Sequence, residues 1–207
     1  MIRGVLIELV VRNVYGEFPP NDRTITDNLV NTWIEPGIGL AVKQNYKDSI
    51  AFDGISYVNN SFYTQFKGLP FVQDEQFVYK TTLPQLPMGV GKNEGVNIFR
   101  VSDVNGKMSD PLIPLSENQL GYARRMRAIK NKQLYWTEGI TLYVLTTLQL
   151  NTFTGNARMI SGGDSTNLDS ELNVPADYLP IVIDYCTKNL LKERLTQKDL
   201  TNDGRDN

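Results

Sequence analysis

Both ends of this 207-residue chain carry more apolar surface than a helix in water can leave uncovered. Near the N-terminus Ile2, Leu6, Leu9 and Val10 fall on one helical face, and Val5, Ile7, Val11 and Val14 carry the apolar surface much further around. Glu8 and Arg12, spaced i, i+4, hold the remaining polar strip. Near the C-terminus Leu179, Val182, Ile183, Cys186 and Leu190 form a second stripe, widened by Tyr178, Ile181 and Tyr185. A helix apolar on more than one side must be covered on more than one side. The two ends are therefore expected to pack together despite their separation in sequence.

A second helix is expected from Thr26, an N-cap residue followed by Asp27 and Asn28 in the first turn. It carries Leu29, Val30, Trp33 and Ile34 up to Pro36-Gly37, which should kink or interrupt it before Leu40, Val42 and Tyr46. Pro180 suits only a first turn, so the C-terminal helix should start near Asp177 or Tyr178, with Lys188, Lys192 and Arg194 toward its end. Beyond Leu195 the chain is polar and is expected to be free, or ordered only by a partner.

The middle reads differently. Ser61 to Phe66, Gln76 to Thr82, Val96 to Val101, Gln133 to Thr137 and Ile140 to Leu148 are short aromatic and β-branched runs. Lys67-Gly68, Asn105-Gly106 and Glu138-Gly139 are expected to separate them as turns. One helix should interrupt the strands at 116–129, capped by Ser116 with Gln119 three residues on. Asn151 to Asn173, polar and glycine-containing, reads as a mobile loop. The expected fold is α+β: N- and C-terminal helices forming a helical bundle (1–51 and 172–195), a β-rich domain inserted between them (52–171), and a flexible tail (196–207).

Histidine is absent and Cys186 is the sole cysteine. No Ser-His or Cys-His nucleophile pair, and no zinc site with a histidine ligand, can be assembled. A general base would have to be a carboxylate, lysine or tyrosine. The expectation is a structural or binding protein rather than an enzyme, with no cofactor or metal. A formal charge of −2 argues against a dedicated nucleic-acid binder, whose affinity comes from clustered Lys and Arg. One cysteine cannot form an intramolecular disulfide. Glu8 and Arg12 interrupt the N-terminal run and no small-residue cleavage site follows, so a retained N-terminus and a soluble protein without a membrane partner are expected.

Local motifs add little. In Met88-Gly89-Val90-Gly91-Lys92-Asn93, Leu86 stands where a phosphate loop needs its first glycine, and Asn93 replaces the magnesium-binding Ser or Thr. Asp199 to Asp206 begins like a calcium loop, but the chain stops before a twelfth-position glutamate. Arg124, Arg125, Arg127 and Lys130, with Tyr122, Tyr135 and Trp136 nearby, could hold single-stranded nucleic acid. The same cluster could be a solvated helix face or pair with acids of a neighbouring subunit. Asp103, Asp110, Glu117 and Glu138 show no spacing that suggests an acid–base pair.

The order of parts, an apolar N-terminal helix, a Trp-bearing second helix, a β-rich excursion, a long apolar C-terminal helix and a polar tail, resembles the head-to-tail adaptor or connector-ring proteins of short-tailed bacteriophages. It is most similar to the ring proteins of crAss-like phages. The matching stretches are Gly4-Val5-Leu6-Ile7-Glu8-Leu9-Val10 to Trp33, Val174-Pro175-Ala176-Asp177-Tyr178-Leu179-Pro180-Ile181-Val182-Ile183-Asp184-Tyr185, and Lys198-Asp199-Leu200-Thr201-Asn202-Asp203-Gly204. The resemblance implies a virion protein of the neck or tail region, assembled in the host cytoplasm as a ring, typically a dodecamer. Its partners would be the portal protein, further ring or tail proteins, and double-stranded DNA passing through the channel without specific binding. Lys198, Asp199, Leu200, Asp203 and Arg205 would then belong to a portal- or neighbour-binding tail. Leu6, Leu9, Trp33, Leu179, Val182, Ile183 and Tyr185 would form core or inter-subunit helix faces. Another β-rich virion protein, for decoration or receptor binding, and a carboxylate-dependent hydrolase are the competing readings.

Overall fold

In the computed structural model, placement is described for residues 1–16, 25–55, 57–88, 98–101, 112–115, 133–146 and 152–202, with side chains described for all but 98–101 and 194–202. The protein is α+β and divides into two compact units, Met1–Phe62 with Gly162–Asn207, and Tyr63–Ser161. The expected helix at 116–129 and the Asn105-Gly106 turn lie outside the described residues.

The first unit holds α1 (Arg3–Tyr15), α2 (Asp27–Asp53) and α3 (Leu179–Asn202), the last entered through a 3₁₀ turn at Ala176–Tyr178. Each helix touches the other two. On α1 the buried face is Arg3, Leu6, Ile7, Val10, Val11 and Val14, while Ile2, Val5 and Leu9 are exposed. Leu9 is thus not a core position. A helix apolar nearly all round has several possible inward faces, and periodicity does not choose among them.

Thr26 caps α2 as expected, its hydroxyl accepting from the Leu29 amide at 3.3 Å. Pro36-Gly37 does not interrupt the helix; α2 runs on to Asp53. Pro36 and Thr32 are both exposed, on a side of the helix where water can serve the carbonyl that loses its usual donor. Gly37 is buried instead, and a Cβ there would lie 3.1 Å from Val182 Cγ1 of α3. The glycine brings two backbones together rather than breaking one. On α3 Val182, Cys186 and Leu190 are fully buried, whereas Leu179 and Ile183 are half-buried. Burial pushes the Cys186 thiol up to about 12, which keeps it protonated and inert at neutral pH. α3 continues through Thr196 to Asn202, about three turns beyond Leu190.

Segments expected in the β-rich part stay with the helices. Asn45 Oδ1 accepts from the Asn59 amide (2.8 Å), and the Ser49 hydroxyl donates to the Tyr57 carbonyl (2.8 Å), holding the chain after α2 against it. The carbonyls of Ser170 and Leu168 accept from the Arg3 and Gly4 amides at 2.9 and 2.8 Å. Those first-turn amides have no partner within their own helix, so the loop completes α1.

The second unit is a seven-stranded sheet among the described residues: β1 (Tyr63–Glu75), β2 (Val78–Thr82), β3 (Ile98–Val101), β4 (Ile113–Pro114), β5 (Leu134–Glu138), β6 (Thr141–Leu145) and β7 (Thr152–Ile160). Their spatial order is β3-β7-β1-β2-β6-β5-β4, antiparallel except for the short β4–β5 pair. Glu138-Gly139 makes the β5–β6 hairpin as expected. Lys67-Gly68 does not separate strands: β1 passes through it with a register shift between Phe66 and Leu69. A bulge bends and twists a strand without ending it. β7 replaces the first part of the expected mobile loop; Phe153, Gly155, Ala157 and Met159 point inward between outward polar residues. This period of two is masked by small side chains and abundant polar residues. Phe71, Tyr79 and Phe153 centre the core on one face, with Phe71 and Phe153 stacked at 4.6 Å.

Candidate assembly interface

The helical unit gathers most of the sequence-derived site residues, but in three different roles. Leu6 and Val182 lie wholly inside. Trp33 meets Tyr185 edge-on, ring centroids 6.2 Å apart, in a half-buried contact between α2 and α3, with Leu179 and Ile183 half-buried on α3. Leu9 faces outward together with Val5 on α1, beside the exposed Glu8–Arg12 pair (2.5 Å). Lys198, Asp199 and Leu200 ride on the last turns of α3, and Asp203 and Arg205 lie outside the described residues. Arg124, Arg125, Arg127 and Lys130 also lie outside them. Tyr135 and Trp136, two of the aromatics expected to stack bases beside that cluster, are buried in the sheet.

The residue that sequence reasoning missed is Arg3. Its side chain is fully buried on the inward face of α1. Nη1 donates to Asn31 Oδ1 on α2 and Nη2 to the Gly162 carbonyl. Nε has no partner among the described residues. Desolvation pulls the guanidinium pKa down, and the negative charges of Glu35 and Asp164 act against that pull. An arginine stays charged even so, and both acceptors are held by one planar group. The available signal was a cation within an otherwise apolar helix, spaced with Leu6, Ile7 and Val10 at i, i+3, i+4 and i+7.

Around Arg3 the loop after β7 is fitted tightly to α2. Asn31 Nδ2 donates to the Ser165 carbonyl (2.7 Å), and a Cβ on Gly162 would come 2.4 Å from Glu35 Cγ. Gly162→Ala should therefore lower stability by about 1–3 kcal/mol, the usual cost of overpacking. Adding Glu35→Ala should recover most of that loss in a denaturant titration. Equal midpoints for the wild type and Gly162→Ala would show that Glu35 simply swings aside.

Three carboxylates, Asp74, Glu75 and Glu138, line a hollow on the sheet. Two of those acids are engaged: Lys80 pairs with Asp74 at 2.6 Å, and Trp136 Nε1 donates to Glu138 at 3.1 Å. Trp136 and Tyr143 stack in parallel at 5.1 Å, filling the floor with each other. Among the described residues no three His, Cys, Asp or Glu side chains converge to hold a metal ion, and no helix is long and apolar enough to cross a membrane.

No protein-family model matches the chain, and no curated protein is similar to it in sequence.

Proposed function

We propose that this protein is a structural virion component of a short-tailed bacteriophage, forming a ring between portal and tail that extends the DNA channel. On this reading the three helices are the adaptor bundle and the sheet is an elaboration carried on it. The carrying observation is the outward apolar surface that remains on α1, at Val5 and Leu9, after the helices have covered one another. Such a surface on the helical unit favours a neighbour, and a ring supplies the same neighbour repeatedly. The acidic charge balance is compatible with DNA sliding past rather than sticking. The end of α3 beyond Leu190 is the segment available for a portal or an adjoining ring.

The test is association with the portal. Deleting Thr196 to Asn207 removes residues beyond Leu190, the last buried position among the described side chains of α3, so the thermal midpoint should hardly move while attachment to portal is lost. Normal docking of the truncated chain would remove the tail from the proposal. Absence of the full-length protein from purified virions would remove the adaptor reading altogether. A decoration or receptor-binding protein would instead sit on the capsid or bind host surfaces, with the hollow beside Trp136 and Tyr143 as its first candidate contact.

A further inference from the structure

Two outward surfaces of the helical unit differ in place and in charge. On α2, Leu40, Lys43, Tyr46, Lys47 and Ile50 are all exposed, and their spacing puts them on one side of the helix. The opposite side carries the buried Ile38, Ala41, Val42, Asn45 and Ser49. Asp48 is turned off that outward stripe, where it accepts hydrogen bonds from Tyr178 (3.1 Å) and Gln44 (2.8 Å). The stripe is thus apolar and basic, and Lys43 and Lys47 have no ion-pair partner among the described residues.

The second surface is apolar and acidic. Val5 and Leu9 of α1 are exposed, with Ile2 just before the helix and Leu168 of the loop beside Gly4. Asp169 and Glu171 stand exposed next to Leu168, likewise without an ion-pair partner among the described residues. The Glu8–Arg12 pair on the same side of α1 contributes no net charge. Asn31 ties this loop to the N-terminal part of α2, so the stripe begins about 14 Å further along the helix axis, at Leu40, at 1.5 Å per residue.

From this pairing we infer that the chain binds a second copy of itself head to tail, the α2 stripe of one protomer lying on the α1–loop surface of the next. Complementary charge selects that partner over a like surface, because an α2 stripe facing another α2 stripe would set lysines against lysines. Since the two surfaces are different patches of one unit, the contact is heterologous, and each protomer keeps a free surface for a further copy. The inference deepens the ring reading and rests on it for its setting in a particle. Its test asks only whether and through which surfaces the full chain binds itself, so it can fail while the protein is still found in virions.

Sedimentation velocity of the full-length protein should show concentration-dependent association that weakens with added salt. The double variants Lys43→Glu/Lys47→Glu and Asp169→Lys/Glu171→Lys should each sediment as monomers where the wild type associates, with unchanged circular dichroism. Mixed in equal amounts, the two variants should associate again, since one contact then pairs the two reversed surfaces and the next pairs the two unaltered ones. A wild type that remains monomeric over the whole concentration range overturns the inference. So does an Asp169→Lys/Glu171→Lys variant that associates alone like the wild type, which would place the contact between two α2 stripes. A mixture that fails to restore association overturns it as well.

Discussion

Leu6→Asp should leave the helical unit unfolded. Leu6 has no exposed surface and sits on the face of α1 turned toward the other helices. Truncating a buried leucine already costs about 2–5 kcal/mol. An aspartate there must also bury an unpaired carboxylate or take up a proton, which adds several kcal/mol more. A domain has only about 5–15 kcal/mol in hand, so the sum removes most or all of it. Leu9→Asp, one helical turn along but on the outward face, should fold with a nearly unchanged midpoint. Circular dichroism and thermal unfolding of the two variants separate these outcomes. Equal behaviour of Leu6→Asp and Leu9→Asp would mean that α1 is rotated from the orientation described here. Leu179→Asp belongs between them, because Leu179 is half-buried at the start of α3.

Arg3→Ala should be the next most damaging single change. Arg3 joins α1 to α2 through Asn31 and to the loop after β7 through the Gly162 carbonyl. Removing it leaves those acceptors without their charged donor and empties the volume the side chain filled. Breaking a buried charged interaction from one side costs about 3–5 kcal/mol, and the two neutral acceptors here place the expectation near the lower end, about 3 kcal/mol. For a chain of this size each kcal/mol lowers the melting temperature by about 2–4 °C, so a fall of about 6–12 °C follows. Arg3→Lys should recover only part of the loss, because an ammonium is a point charge and cannot reproduce the planar fork that serves both acceptors. Calorimetry of the three proteins tests this. An Arg3→Ala melting temperature equal to the wild type would show that neither hydrogen bond contributes in solution.

The sequence by itself determined which segments are helical and which are extended wherever periodicity was strong. The capping of α2 by Thr26, the entry to α3 at the 3₁₀ turn before Pro180, and the β5–β6 hairpin at Glu138-Gly139 follow from local chemistry, and local chemistry is what a sequence displays. Where a choice depended on a distant partner, the local signal was silent or misleading. The inward face of α1 was set by α2, α3 and the loop after β7, which brought Arg3 inside and left Leu9 outside. Pro36 could stay in α2 because its side of the helix is exposed, and Gly37 because Val182 needed the room. β7 gained strand structure by pairing with β1, a partner 80 to 97 residues away. Tertiary structure alone decided these, because burial and long-range pairing depend on residues far apart in sequence, and a local window contains only one side of each contact.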